Sequence, residues 1–341
     1  MEFIGFDAAS DAENVIVVDA YLPGRLNLSH WRGVELPLHL QADTSTEIVL
    51  MALKSDQFTP DDYRYCTNNH FDIDGFLGIW ALMNPEEAIK NEVLLREMAA
   101  IGDFRELNAD KHIAGRAMSL VCKINELEKS LFYPPFGMDL REPSACIPKY
   151  EYFLREFGNL LEGNYEPADE YTLVSKQMKD LSQSGEVSYL SSLRLLIVYA
   201  PYPMHYYALF AESKKADMVL TIYPDHKYEL EEKYSTWVQT VRKSYPRILL
   251  SNLAEHLNAS EKSGYRWKGD HFTDTGPILR LTDLKLNKAE RFDHPMNRTI
   301  HSSSIAEDEI VEILTSYISE KYQDVNPKVN WTWEELRAFN A

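Results

Sequence analysis

Hydrophobic positions in the first half of the chain fall into short runs rich in β-branched and aromatic residues and into longer stripes with helical spacing. The short runs predict buried strands, and stripes with a period of about 3.6 residues predict helices. Strands are predicted over residues 14–19 and 63–67, and helices over residues 48–53, 76–83, 85–101, 110–130, 147–162 and 168–184. This alternation is typical of an α/β protein.

The pattern changes at Ser182-Gln183-Ser184-Gly185, after which strands follow the run of helices. A chain of 341 residues also exceeds the usual single-domain length of about 100–200 residues. We therefore predict two domains, residues 1–185 and residues 186–341. In the second domain the predicted strands are residues 193–200, 218–223, 227–234 and 277–286, the predicted helices are residues 204–213, 249–257 and 305–322, and residues 267–274 are predicted to be a polar loop.

The composition excludes several classes of protein. A hydrophobic fraction of 45% excludes a disordered chain. The three cysteines include no CxxC pair, so neither a disulfide framework nor a thiolate zinc site is indicated. The N-terminus lacks the basic start and apolar run of a secretory signal, and no uncharged stretch approaches the roughly 18 residues that span a bilayer. We expect a cytoplasmic protein without a membrane partner.

The net charge of −18 argues against long nucleic acid as a partner, because binding a duplex needs a basic stripe and the sequence has none. A small phosphorylated substrate held through a metal ion remains compatible with this charge. Oligomeric state is left open by these features.

The most informative stretch is Asn68-Asn69-His70-Phe71-Asp72-Ile73-Asp74-Gly75, which lies between a predicted strand and a predicted helix. Imidazole and carboxylate groups are ligands of Mn²⁺, and Mg²⁺ prefers the carboxylates. If the backbone is extended, alternation by two points His70, Asp72 and Asp74 the same way. The plainer alternative is that Asp74 is a helix N-cap, Asp72 a turn residue and His70 a packed histidine. Asp19, at the end of the first strand, is a further candidate, because ligands bind at the carboxyl ends of such strands.

His70-x-Asp72-x-Asp74-Gly75 after a strand resembles the first motif of the DHH phosphoesterase superfamily, whose members hydrolyse phosphoesters with two Mn²⁺ or Mg²⁺ ions. Asp19 resembles the second-motif aspartate, and Ser29-His30-Trp31 resembles a degraded DHH triplet in which only His30 remains. The motif order looks permuted, because the superfamily places its HxDxDG-like motif first. The chain also resembles a family of uncharacterised bacterial proteins with an NNHFDxDG motif, which implies no activity.

This resemblance implies a mainly parallel sheet with helices on both faces in a metal-binding, DHH-like catalytic domain. It also implies that His70, Asp72 and Asp74 are catalytic and that one or two Mn²⁺ or Mg²⁺ ions are held by the ligands Asp19, His30, His70, Asp72, Asp74 and Asp103. Asp103 follows the predicted end of a helix at Gly102, and a turn residue is the equal alternative for it.

The second domain resembles the smaller accessory substrate domain of these enzymes, termed DHHA1. Its predicted loop Trp267-Lys268-Gly269-Asp270-His271 is similar to a glycine-rich substrate loop, which implies substrate-binding roles for Trp267, Gly269, Asp270 and His271. The expected function is a metal-dependent phosphohydrolase acting on a nucleotide or other small phosphoester. The alternative is a non-catalytic ligand-binding or regulatory protein on a degenerate scaffold of the same kind.

Overall fold

The first sheet contains four parallel strands, arranged in the order β1-β4-β2-β3. They are β1 (Glu2–Phe3), β2 (Val15–Val18), β3 (Leu26–Leu28) and β4 (Tyr65–Thr67). Strand β2 pairs with a strand on each side and all four of its residues are buried, as expected for a β-branched run inside a parallel sheet. The computed structural model describes residues 1–108, 110–132, 142–233, 238–283 and 293–341.

Helices follow the strands of this sheet. They are α1 (Phe6–Ala9), α2 (Ser45–Leu53), α3 (Ile73–Met83), α4 (Pro85–Lys90), α5 (Glu92–Phe104), α6 (Lys111–Leu131), α7 (Glu142–Ala145), α8 (Ile147–Leu161) and α9 (Asp169–Ser184). Helix α2 is capped by Thr44, whose side chain accepts a hydrogen bond from the Glu47 N–H at 3.2 Å. Helix α3 is capped by Asp72, which accepts from the Gly75 N–H at 2.8 Å.

The predicted helix 85–101 differs from the structure at both its middle and its end. It is divided at Asn91 into α4 and α5, and α5 continues through Gly102 to Phe104. Gly102 does not end the helix. A Cβ atom there would lie 2.7 Å from the Ile73 Cβ, so the glycine permits close packing of α5 against α3. The helix ends instead at Arg105, whose backbone is left-handed with φ of 59°.

The second sheet is mixed and has six strands in the order β5-β6-β7-β8-β10-β9. They are β5 (Glu186–Leu190), β6 (Leu195–Tyr199), β7 (Met218–Tyr223), β8 (Lys227–Glu232), β9 (Arg266–Gly269) and β10 (Ile278–Thr282). Only the β6–β7 pair is parallel. The prediction of a polar loop over 267–274 was wrong at its start, because Trp267–Gly269 belong to β9. The predicted strand ends at Tyr234 and over 284–286 lie outside the described residues.

The helices of this part of the chain are α10 (Tyr206–Phe210), α11 (Leu250–Ser260), α12 (Glu307–Tyr322) and α13 (Trp333–Asn340). One face of the sheet contributes Leu220, Tyr228 and Leu279 to a buried core that α11 and α12 complete. The chain is thus a mixed α/β protein with one parallel and one mixed sheet, in agreement with the predicted fold class.

Residues 1–172 and 238–241 form one compact unit, and residues 173–237 and 242–341 form the other. The predicted assignment of a catalytic domain to residues 1–185 and of a substrate-binding domain to residues 186–341 stays a prediction. Within the described part of the chain, no helix has both the length and the apolar character needed to cross a membrane.

Candidate metal centre

The carboxyl ends of three adjacent parallel strands carry the predicted ligands of the first unit. Asp19 directly follows β2, His30 comes shortly after β3, and His70 follows β4. Parallel strands present such residues at one edge of the sheet. Helices α3 and α5 supply the other three residues, Asp72, Asp74 and Asp103. The structure brings all six predicted ligands into one network of His–Asp contacts.

A buried cluster forms around His30. Its Nε2 lies 3.1 Å from Asp19 Oδ1, 3.4 Å from Asp103 Oδ2 and 3.8 Å from Asp74 Oδ2. The other ring nitrogen, Nδ1, lies 2.5 Å from the Asp43 carbonyl oxygen. Because a carbonyl oxygen can only accept, Nδ1 carries the hydrogen, and Nε2 faces three carboxylates. A proton or a metal ion between Nε2 and these carboxylates would offset the crowded negative charge.

A second cluster forms around His70 and is more open to solvent. His70 Nε2 lies 3.3 Å from Asp19 Oδ2 and 3.2 Å from Asp72 Oδ2. Its Nδ1 lies 2.8 Å from the side-chain oxygen of Asn69. The side chains of His70 and Asp72 are 25% and 39% exposed, whereas those of His30 and Asp74 are 1% and 0% exposed. The second cluster is therefore more accessible to solvent than the first.

Asp19 belongs to both clusters, with one carboxylate oxygen toward each histidine. Its orientation is fixed by the Ser45 hydroxyl, which donates to Oδ1 at 2.8 Å, and by the Trp31 indole N–H, which donates to the same oxygen at 3.1 Å. The backbone of Asp19 is left-handed, with φ of 50°, a conformation that aspartate tolerates better than most residues. This turn of the chain after β2 directs the carboxylate between the two histidines.

The role of Asp74 differs from both sequence-based alternatives, an extended-strand ligand and a helix N-cap. Helix α3 begins at Ile73, so residues 72 and 74 do not lie on an extended strand, and Asp72 rather than Asp74 caps that helix. The Asp74 carboxylate instead accepts the backbone N–H groups of Ser45 at 2.7 Å and Thr46 at 2.8 Å. These donors lie at the N-terminus of α2, where the helix dipole stabilises negative charge. Asp74 thus links α3 to α2 and presents its Oδ2 to His30.

The pKa values show how tightly the charges are coupled. Burial alone would lower the pKa of His30, but the hydrogen bond to Asp19 and the charges of Asp19, Asp103 and Asp74 raise it to about 10. Burial would raise the pKa of Asp19, but its contacts with His30 and His70 lower it far below the usual range. The pKa of Asp74 is raised to about 7 by burial and by the nearby negative charge of Asp19.

Burial also raises the pKa of Asp103 well above its ordinary value, with a further contribution from the charge of Asp74. The pKa of His70 is raised well above its ordinary value, because the effect of Asp72 and Asp19 outweighs that of burial. Protons therefore balance the crowded carboxylates wherever no metal ion does.

The donor set fits two divalent ions. Within each of the groups Asp19, His30, Asp74 and Asp19, His70, Asp72, the ligand atoms lie within 4.8 Å of one another. Carboxylates with one imidazole suit Mn²⁺, and metal-binding histidines commonly donate their other N–H to an oxygen, as both do here. Four carboxylates, those of Asp19, Asp72, Asp74 and Asp103, match the charge of two divalent ions.

The four predicted substrate-binding residues lie in the second unit and have contacts of their own. Trp267 is buried and donates its indole N–H to Glu261 at 2.9 Å. A Cβ atom at Gly269 would lie 2.3 Å from the Leu250 carbonyl carbon, so the glycine permits close packing of α11. Asp270 accepts from the Arg280 guanidinium at 3.1 Å, and His271 is exposed. A role for them in substrate binding stays a prediction.

The sequence did not reveal the residues that hold the ligands in place. The roles of the Asp43 carbonyl, the Asn69 amide and the Trp31 indole depend on side-chain directions that no spacing pattern contains. Two supporting hydrogen bonds involve residues much later in the sequence. The Gln239 N–H donates to the His30 carbonyl at 2.7 Å, and the Val241 N–H donates to Asp43 Oδ1 at 2.8 Å. For Ser45, the polar helix start at residues 43–47 was a usable signal.

Comparison with known proteins gives a family but no activity. No curated protein and no solved structure matches the chain. The model of one protein family, described as a family of unknown function (DUF6687), matches residues 1–329. Because the match extends over nearly the whole length, the chain belongs to this family of unknown function, DUF6687.

Proposed function

We propose that this protein is a metal-dependent phosphohydrolase that holds two divalent ions, most suitably Mn²⁺, in its first unit. Asp19, His30, Asp74 and Asp103 would hold the buried ion, and Asp19, His70 and Asp72 the open one. The observation that carries the proposal is the pair of histidines whose Nδ1 atoms contact oxygen acceptors and whose Nε2 atoms face a shared carboxylate. Metal-binding histidines commonly donate their other ring N–H to an oxygen in this way.

The resemblance to the DHH phosphoesterase superfamily supports the same reaction class. The residues that carry the resemblance, Asp19, His30 and the His70-x-Asp72-x-Asp74 motif, meet at one edge of a parallel sheet despite their permuted order along the chain. The two residues that replace acidic or histidine positions of the triplet still support the site. Trp31 donates a hydrogen bond to Asp19, and the Ser29 hydroxyl accepts one from the Trp31 backbone N–H. This favours an enzyme over a degenerate scaffold.

Each side chain has a definite part in this proposal. Two divalent ions in such a centre would supply an activated water molecule and polarise a phosphoryl oxygen. Asp19 would set their spacing, because its two oxygens serve the two clusters. Ser45 and Trp31 keep that carboxylate from rotating. The exposed edges of His70 and Asp72 define the side from which a small phosphoester approaches.

The test is a calorimetric titration of the full chain with Mn²⁺, followed by an assay with a generic chromogenic phosphodiester and phosphomonoester. We expect two ions per chain and metal-dependent release of the chromophore. Absence of metal uptake would refute the proposal. Uptake without turnover of either ester, together with tight binding of an unmodified nucleotide, would favour a non-catalytic ligand-binding or regulatory protein on the same scaffold.

A further inference from the structure

The two asparagines before His70 contact it in different ways. The Asn69 side-chain oxygen lies 2.8 Å from His70 Nδ1, which fixes the direction of the imidazole ring. The Asn68 side-chain oxygen accepts the backbone N–H groups of Asn69 at 2.6 Å and of His70 at 3.4 Å, which shapes the loop. One asparagine therefore holds the ring, and the other holds the backbone that carries it.

Asn68 also connects this loop to the start of helix α3. Its side-chain oxygen is committed to the loop, so its amide nitrogen points the other way, toward Gly75. A Cβ atom at position 75 would lie only 2.0 Å from that nitrogen. Gly75 thus leaves room for the buried Asn68 side chain, which packs the loop with His70 against the start of the helix that Asp72 caps.

The side chains of the buried cluster are oriented by other groups. His30 is oriented by the Asp43 carbonyl, and Asp74 by the N-terminus of α2. Asp19 is held by Ser45 and Trp31. The two halves of the centre therefore have separate supports, although they share the Asp19 carboxylate.

We infer that Asn69, supported by Asn68, is the positioning residue that creates the open metal position, and so determines whether the centre holds one ion or two. This inference rests on the proposed two-metal function and deepens it. In the absence of the Asn69 acceptor, the His70 ring loses the contact that orients its Nδ1, and the greater exposure of this histidine leaves room for the ring to turn. His30 keeps its orientation, so the buried ion remains bound.

The experiment compares three forms of the full chain: the wild type, Asn69→Leu, which removes the acceptor at similar volume, and Asn69→Asp, which keeps it. Mn²⁺ stoichiometry and affinity are measured by calorimetry, and electron paramagnetic resonance distinguishes a coupled Mn²⁺ pair from a single ion. Circular dichroism and urea unfolding confirm that each variant is folded. The side chain at position 69 is only partly buried, so both substitutions are compatible with the fold.

We expect two ions and a coupled pair in the wild type and in Asn69→Asp. In Asn69→Leu we expect one tight ion, with the second weakened about 10–100-fold, the usual effect of losing the oxygen that orients a metal-binding histidine. Two ions of unchanged affinity in Asn69→Leu would overturn the inference, and so would loss of the second ion in both variants. A wild type that binds no ion would instead overturn the proposed function itself.

Discussion

At the scale of single residues, Asp19 and Asp72 differ in the number of histidines that each contacts. Asp19 shares its two oxygens between His30 and His70, whereas Asp72 presents one oxygen to His70. Asp72 has a second task as the cap of α3, accepting the Gly75 N–H through Oδ1. Asparagine at either position retains an acceptor oxygen and removes the charge.

We predict that Asp72→Asn loses the open ion and keeps the buried one, whereas Asp19→Asn loses both. Each change removes an anionic ligand, so the affected affinity should fall by at least about 10-fold, the lower limit found even for outer-shell changes. Thermal unfolding provides a second measurement, because a ligand at 100 times its Kd stabilises the folded state by about 2.7 kcal/mol. Equal metal stoichiometry in the two variants would contradict the shared role of Asp19.

The site could be predicted from sequence only in part. His70, Asp72 and Asp74 were identified because they lie close together in the chain, and Asp19 because it ends a buried strand. His30 and Asp103 were found through a family resemblance. Their supports, such as the Asp43 carbonyl and the backbone N–H groups of Ser45 and Thr46, depend on the three-dimensional approach of α2 to α3. No local sequence pattern predicts how α2 approaches α3.

At the scale of elements, helix α5 shows how close packing positions a ligand. Its last turn carries Asp103, whose Oδ2 lies 3.4 Å from His30 Nε2. The preceding Gly102 lies directly against Ile73, the first residue of α3. The distance between the two helices at this point is therefore set by the missing side chain at position 102. A larger residue there must move Asp103 relative to the buried cluster.

We predict that Gly102→Ala lowers the free energy of unfolding by about 1–3 kcal/mol, the usual cost of overpacking, and weakens the buried ion more than the open one. The added Cβ would lie 2.7 Å from the Ile73 Cβ, which is too close for two carbon atoms. Chemical denaturation and Mn²⁺ titration provide the two measurements.

Gly158→Ala is the matched control, because Gly158 also lies inside a helix but a Cβ there would meet nothing within 4 Å. This control should instead gain about 0.5–1 kcal/mol of stability from the lower entropy of its unfolded state. If Gly102→Ala behaves like the control, the close packing of α5 against α3 does not position Asp103.

The elements of the fold were more predictable than their ends. Long amphipathic helices such as α6, α8 and α9 were predicted nearly to the residue, because each buries a continuous stripe. Very short strands such as β1 were missed, since two residues carry no periodic signal. The end of α5 was misplaced because Gly102 has a packing role that its sequence context does not distinguish from a helix stop.

At the scale of the whole molecule, residues distant in sequence meet at the candidate metal centre. Residues 238–241 belong to the first unit, although their neighbours in sequence belong to the second. Through Gln239 and Val241 they contact the His30 carbonyl and the Asp43 carboxylate, and the Asp43 carbonyl orients the His30 ring. The immediate support of His30 thus includes backbone from about 200 residues later in the chain. Such long-range pairing explains why the site could not be completed from local patterns.

A buried carboxylate in the second unit makes the stability of the molecule depend on pH. Glu232 accepts the Ile248 N–H at 2.8 Å, and its other oxygen lies 3.8 Å from the Arg247 guanidinium. Burial raises its pKa from 4.5 to about 7, which the charge of Arg247 only partly offsets. The folded state therefore binds a proton between these pH values that the unfolded state has released. The stability from this group is fully present below pH 4.5 and is lost as the pH rises through about 7.

We predict that Glu232→Gln, which keeps an oxygen acceptor for Ile248 and cannot ionise, has the same stability as the wild type near pH 4 and is more stable at pH 8. Each pKa unit corresponds to about 1.4 kcal/mol, so the difference should grow to about 3 kcal/mol. Urea unfolding of both proteins across this range is the measurement, with Glu186→Gln as a control at an exposed position. A constant difference between variant and wild type at all pH values would show that the pKa of Glu232 is the same in the folded and unfolded states, so that the charge of Arg247 fully offsets its burial.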